Sequence, residues 1–265
     1  SIEWLVIDDG STDDTQRILS EFHAARPDLL HIVYVENGGK HRAINLAARI
    51  ARGEWLLLVD SDDLLVDGAI CDITKHILMN KDNECVAIIR GLKRAMTGVQ
   101  KDVEFIVPEN PCYYFEWVGF QRSFDDTQIY RVAALRNCSF PEYVSEKFMA
   151  EGWLWFHLDQ FGKTLFLNTP WQLCEYQLEG LTSRSRQIRM NSPLGAMDVY
   201  FTTINSSLPW RLRARARCNW WRYYFHASYG THSKNQELRN HSPSLIYAIV
   251  GYMLYFSDCW ISSKR

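Results

Sequence analysis

Along the first part of the chain the hydrophobic residues switch repeatedly between the period of a strand and that of a helix. Ile2 to Ile7 is an apolar run rich in β-branched residues that ends on Asp-Asp-Gly, the pattern of a buried strand entering a turn. A helix is expected next, with Ser11 or Thr12 as its N-cap and Asp13 and Asp14 in its positive first turn. Ile18, Leu19 and Phe22 supply its core face, and Pro27 stops it. Leu30 to Val35 predicts a second strand, followed by the turn Glu36-Asn37-Gly38-Gly39. Ile44, Ala47, Ala48 and Ala51 then fall on one helical stripe, which Gly53 ends. Glu54 to Val59 reads as a third strand, running directly into Asp60-Ser61-Asp62-Asp63. A further helix with Ile70, Ile73, Ile77 and Leu78 on one face precedes a fourth strand at Cys85 to Ile89.

Strands alternating with helices of this length predict βαβ units, an α/β class and a mainly parallel sheet. In such sheets ligands bind beyond the carboxyl ends of the strands. Asp8-Asp9 and the acidic run from Asp60 both stand at such ends, so the two turns are expected to face one crevice. Beyond Lys93 the pattern is weaker. Thr127 to Arg131, Thr164 to Leu167 and Gln172 to Tyr176 read as strands, and Glu146 to Leu158 as a helix. Glu179 to Gln187 is a polar loop, and residues 190 to 265 are helix-leaning and rich in aromatics. The expected organisation is a catalytic domain over residues 1–180 and a helical, basic-aromatic extension over 181–265.

Composition narrows the class. With 29 Lys and Arg against 31 Asp and Glu in 265 residues, nothing points to nucleic acid. Seven cysteines, odd in number and never in a C-x-x-C pair, argue for a reduced cytosol and against a disulfide scaffold or zinc site. No signal peptide is evident, and a chain that enters a strand straight from Ser1 is expected to begin further upstream in the natural protein.

The acidic turns carry the chemistry. Asp-Ser-Asp-Asp at a strand end suits Mg²⁺ or Mn²⁺, which takes one or two carboxylates and completes its shell with water and substrate phosphates. The plainer alternative is a solvated turn or a helix cap. Asn37 to Asn45 adds a Gly-rich turn, a helix N-terminus and the cations Lys40 and Arg42, which together can place a phosphate. Asp9 can accept a hydrogen bond from a base N–H or a ribose hydroxyl.

The stretches EWLVIDDGSTDDT, ENGGKHRAINLAARIARGEWLLLVDSDDLL and, more loosely, FPEYVSEKFMAEGWLWFHL resemble the family 2 glycosyltransferases over roughly residues 2 to 180. The resemblance implies a GT-A (Rossmann-like) fold, a nucleotide-sugar donor with UDP preferred, and transfer with inversion. It makes Asp9, with Asp8 beside it, the nucleobase reader. Asp60 and Asp62 match the D-x-D motif for ribose and metal, and Glu151 matches the position of the catalytic base. A plain first-turn carboxylate favouring the helix dipole is the alternative for Glu151. The strand with which this family usually opens is not found ahead of Ser1.

Trp153 and Trp117 are candidate acceptor contacts, since sugar C–H faces stack on indole rings. Asp126, with Asp125, is a candidate for acceptor hydroxyls, and Arg184 and Arg186 for the diphosphate; a turn and a solvated loop are the respective alternatives. Two further classes stay open. A nucleotide- or glycan-binding module with a degraded site would release no UDP. A nucleotidyltransferase would need a Gly-rich loop and a basic residue ahead of the acids, which is not seen. Pro209 to Ala227, with five Arg, three Trp, two Tyr and one Phe, and the apolar Leu245 to Phe256 suggest attachment to the cytoplasmic face of a membrane, with a lipid-linked glycan as acceptor. Packing of this tail on protein is the alternative.

Overall fold

β1 (Trp4–Asp9) and β2 (Leu30–Val35) pair in parallel, with Trp4 opposite Leu30 and Asp9 opposite Val35. They belong to a computed structural model that describes residues 1–96, 107–118, 126–174, 184–227 and 244–262. α1 (Thr15–Ala25) connects them. α2 (Lys40–Ile50) leads from β2 to β3 (Trp55–Leu58), and a short β4 (Asp63–Leu65) precedes α3 (Ala69–Met79). Then come β5 (Val86–Ala95), α4 (Tyr114–Val118), β6 (Asp126–Arg131), α5 (Val132–Asn137), α6 (Gly152–Leu158) and β7 (Lys163–Cys174). The second sheet has the order β3-β6-β5-β7-β4.

That sheet is mixed rather than mainly parallel. β5 and β7 run parallel, but β6 is antiparallel to both β3 and β5, and β4 is antiparallel to β7. The local pattern identifies strands but carries no information on their direction or order. β5 lies at the centre, and Val86 to Ile89 are at most 1% exposed, as an unbroken apolar run in a central strand requires. Ile89 packs with Ile129, Ile73 and Trp171; Leu92 packs with Tyr114, Trp117 and Phe166.

Four local expectations change. α1 starts at Thr15, with no side-chain cap bond at Asp14. The acids of the turn serve the backbone instead: Asp8 Oδ1 accepts from Ser11 N–H at 2.8 Å and Asp13 Oδ1 from Thr15 N–H at 3.1 Å. Ile18 and Phe22, the expected core face, are 42% and 53% exposed. The expected helix from Glu146 is cut to α6; ahead of it the Tyr143 and Glu146 carbonyls accept from Arg42, and the Glu146 carboxylate accepts from Leu194 and Gly195. The two strands expected around Thr164 and Gln172 are one strand, β7. Pro170, which lacks an N–H, sits opposite Leu92 where the register with β5 shifts, so the ladder absorbs it as an irregularity. Glu175 and Tyr176 lie outside the described residues, as do 179–183 of the expected loop.

The chain divides into two compact units, residues 1–37, 43–139 and 154–180 in one, and 38–42, 140–153 and 181–265 in the other. The second contains α7 (Ser185–Asn191), α8 (Pro193–Asn205), α9 (Trp210–His226) and α10 (Ile246–Ser262). Met197, Ile204, Ala216, Trp220, Trp221 and Tyr223 are buried together at its centre. α8 opens with Pro193 in its first turn, and the buried Glu146 carboxylate accepts from the N–H groups of Leu194 and Gly195 at 2.7 and 2.8 Å.

α10 is held on α9 by one buried acid. Asp258 is 1% exposed and accepts from Arg186 Nε and Arg222 Nε, each at 2.6 Å, with His226 Nε2 at 2.9 Å. Burial alone would raise its pKa; Arg222, His226 and Arg186 outweigh that and hold it below the usual carboxylate range. Asp258→Ala leaves Arg222 with an uncompensated buried charge. The substitution is expected to destabilise the protein by about 3 kcal/mol or more, read as a lowered urea midpoint. An unchanged midpoint would show that the cluster does not hold α10.

Candidate active site

The first unit carries the acidic turns. Asp8, at the end of β1, is 4% exposed, and its Oδ2 is buried with no hydrogen-bond partner among the described residues. The Asp9 side chain is half-buried at the mouth of the turn, and its carbonyl accepts from Asn37 Nδ2 at 2.9 Å. That bond ties the turn after β2 to the turn after β1. Gly10 makes the approach possible: its φ is +75°, and a Cβ there would lie 2.7 Å from Asn37 N. Asn37 therefore holds the two turns together with the amide that sequence reasoning assigned to a nucleotide.

At the end of β3 the Asp60 carbonyl accepts from Asp63 N–H at 3.0 Å, closing the D-x-D turn. Lys93 of β5 enters this turn, with Nζ 2.6 Å from Asp63 Oδ2 and 3.3 Å from Asp60 Oδ2. Burial pulls the Lys93 pKa down, but Asp60 and Asp63 more than offset it, and the ammonium is held above the usual lysine range. Asp62 projects into solvent, and no ion pair or hydrogen bond is found for it among the described residues. Lys93 was missed by sequence reasoning: it lies beyond Ile89, where the expected fourth strand ends, and no local pattern marks it as the partner of Asp60 and Asp63.

Among the described residues no group of three or more His, Cys, Asp or Glu side chains closes around a metal. The donor set nevertheless fits Mg²⁺ or Mn²⁺ arriving with a diphosphate. Asp62 offers hard carboxylate oxygens to solvent beside Asp60, and such ions need only one or two protein carboxylates. Lys93 offsets the charge of the neighbouring acids without touching Asp62.

The second unit carries the candidate base. Glu151 stands immediately before α6, and its Oε1 is 2.6 Å from the Nζ of Lys40, the first residue of α2. Gly39 sets this approach. Its φ is +95°, and a Cβ would fall 1.8 Å from the Lys147 carbonyl oxygen, so only glycine lets the start of α2 meet the 147–151 backbone. Arg42 braces the same segment by donating to the Tyr143 carbonyl at 2.6 Å. The pairing of Lys40 with Glu151 joins two residues to which the sequence assigned separate roles. Trp153 packs against Phe140, with ring centroids 5.7 Å apart.

The remaining candidates are dispersed. Trp117 is 4% exposed and stacks on Phe166 inside the first unit. Asp126 is 2% exposed, bound by Arg90 Nη1 at 2.6 Å and by Gln128 Nε2 at 2.8 Å. Arg90 in turn lies over the Tyr114 and Trp155 rings. Neither Trp117 nor Asp126 faces solvent, which corrects their expected contact with an acceptor: an aromatic pair and a paired charge have been used to fill the core. Arg184 is exposed just before α7, and Asp125 lies outside the described residues.

Residues 1–122 match the family described as Glycosyl transferase family 2. An uncharacterized glycosyltransferase of Mycoplasma genitalium is 25% identical over 206 residues, covering 67% of this chain and 65% of that protein. This chain spans less than two thirds of the length of the curated relatives first matched. Among solved structures, S. aureus TarS 1-349 in complex with UDP-GlcNAc is 18% identical with a TM-score of 0.55, covering 94% of this chain and 70% of that one. The mannosyltransferase PcManGT from Pyrobaculum calidifontis, in complex with GDP-Man and Mn²⁺, is 16% identical with a TM-score of 0.53, covering 97% and 78%. Residues 1–122 are thus similar to glycosyl transferase family 2, and the fold is the GT-A fold of these solved structures.

Proposed function

We propose that the protein is an inverting glycosyltransferase. It moves a hexosyl or N-acetylhexosaminyl group from a UDP-sugar to a glycan or lipid-linked acceptor in polysaccharide biosynthesis, at the cytoplasmic face of a membrane. The observation that carries this reading is the pair of acidic turns at the ends of β1 and β3 within a family 2 match. The nucleotide-sugar complexes of TarS and PcManGT support the donor class.

Asp9, with Asp8 behind it, hydrogen-bonds the nucleobase, and Asp60 the ribose. Asn37 and Lys40 are each assigned a nucleotide contact in this reading. Asp62, with Asp60, would hold a divalent cation, which supplies Lewis-acid charge to the diphosphate. Glu151 takes the proton from the acceptor hydroxyl as its oxygen bonds to the anomeric carbon. The bond from that carbon to the diphosphate oxygen breaks, and its electron pair leaves with the nucleotide. Inversion follows from attack opposite the leaving group, and no covalent enzyme intermediate is needed.

A second reading is a nucleotide- or glycan-binding member of the same fold. It is favoured by the lysines already paired with the key acids, Lys93 with Asp60 and Asp63, and Lys40 with Glu151. Purified protein incubated with UDP-GlcNAc and Mn²⁺ separates the two. An enzyme releases UDP by slow hydrolysis or by transfer to added acceptor. A protein that binds UDP and releases none from a panel of UDP-sugars and acceptors would be the binding module.

A further inference from the structure

We infer that α10 lies in the plane of an anionic lipid bilayer, with its outer face among the lipids. This rests on the membrane reading above and moves the attachment away from the basic-aromatic stretch 209–227. That stretch forms α9, and its Trp220, Trp221 and Tyr223 are at most 3% exposed, packed in the core of the second unit. They cannot insert into a bilayer without unfolding the unit.

α10 shows the opposite arrangement. Ile246, Ile249, Val250, Tyr252, Met253, Phe256 and Trp260 are each 45% or more exposed, as is Leu245 just before the helix. At 100° per residue these side chains occupy an arc of about 160°. No charged residue falls in that arc. The buried residues of the helix lie on its other side: Gly251 is buried against Trp221, and Asp258 is buried among Arg186, Arg222 and His226. The rotation of α10 about its axis is therefore set by one glycine contact and one ion cluster, and both turn the apolar arc outward. An exposed apolar surface of this width marks an interaction site. Among the described residues no helix is long and apolar enough to cross a membrane; an apolar arc on one side with a buried ion cluster on the other suits α10 to lying on a bilayer.

Charge decides the occupant. Residues 184–265 carry twelve Lys and Arg against three Asp and Glu, whereas residues 1–183 carry 17 against 28. A segment of net charge +9 that includes an uncharged apolar helix face matches an anionic bilayer, in which acyl chains take the apolar face and lipid phosphates take the arginines. The same segment of a second copy would meet like charge. Of the three tail acids, Asp258 is buried in its ion cluster, Asp198 accepts from the Tyr143 hydroxyl at 2.6 Å, and Glu237 lies outside the described residues. Arg211 and Arg215 are exposed at the start of α9 beside Trp210, which is 68% exposed.

The test is flotation of the whole chain with phosphatidylcholine vesicles, with and without phosphatidylglycerol. Wild type should float with the phosphatidylglycerol vesicles. Met253→Glu combined with Phe256→Glu should reduce this by about tenfold or more. Both side chains are exposed, so the thermal midpoint and UDP release in solution should be unchanged. Arg211→Glu with Arg215→Glu should weaken the preference for phosphatidylglycerol. If wild type and the Met253/Phe256 variant float equally, the α10 inference falls while membrane attachment stands. If wild type floats with neither vesicle, both fall. A dimer that dissociates on the Met253/Phe256 substitutions, with no flotation, would assign the face to a second copy and overturn the inference.

Discussion

Glu151→Gln is expected to lower turnover by about 10²-fold or more while UDP affinity changes little. The amide keeps the size and planarity of the carboxylate but cannot take a proton from the acceptor hydroxyl. The structure sharpens the expectation, because Lys40 Nζ lies 2.6 Å from Glu151 Oε1. Lys40 holds one oxygen of the carboxylate, and in the proposed mechanism the other takes the proton. Glutamine can keep one such contact through its amide oxygen, so the local backbone should not move. The measurement is kcat for UDP release in the presence of acceptor, together with UDP binding by titration calorimetry. Unchanged turnover with a large loss of UDP affinity would make Glu151 a donor-site residue that works through Lys40.

Asp62→Asn should cost about 10²-fold or more in turnover, and UDP binding should lose its dependence on Mn²⁺ or Mg²⁺. A neutral amide is a far poorer partner for a divalent cation beside a diphosphate. Asp63 is already paired with Lys93, and Asp60 shares that ammonium. This leaves Asp62 as the carboxylate of the turn that faces solvent. Because it is exposed, its loss should leave stability within about 0.5 kcal/mol of wild type, read as an unchanged thermal midpoint, which separates a metal effect from misfolding. Wild-type turnover in saturating Mn²⁺ would show that the D-x-D assignment is wrong.

Much of this was written locally in the chain. The run from Ile2 ends on Asp8 and Asp9 at the carboxyl end of β1, and the run from Glu54 delivers Asp60 and Asp62 past the end of β3. Period two and period 3.6 are properties of neighbouring residues, and an acid next to a strand end stays there whatever the sheet order. The stripe of Ile44, Ala48 and Ala51 is buried for the same reason: helical spacing places those residues on one face.

What required tertiary structure was every feature made by residues far apart in sequence. Lys93 reaches Asp60 and Asp63 from another strand, and no local pattern announces such a partner. Asp126 looks like a surface acid until Arg90 is found beside it in the core, and Pro170 looks like a strand end until the ladder with β5 carries the chain past it. The tail makes the contrast clearest. Composition marks 209–227 as basic and aromatic and 245–256 as apolar, and the arginines of the first lie on opposite faces of a helical projection. Which face is covered depends on what packs against it. Trp221 meets Gly251, and Asp258 meets two arginines and a histidine. The sequence by itself determined the alternating strands and helices up to β5 and the acids at the strand ends, because these follow from short-range backbone geometry. Only the packing of distant segments decided which aromatics became core and which were left facing out.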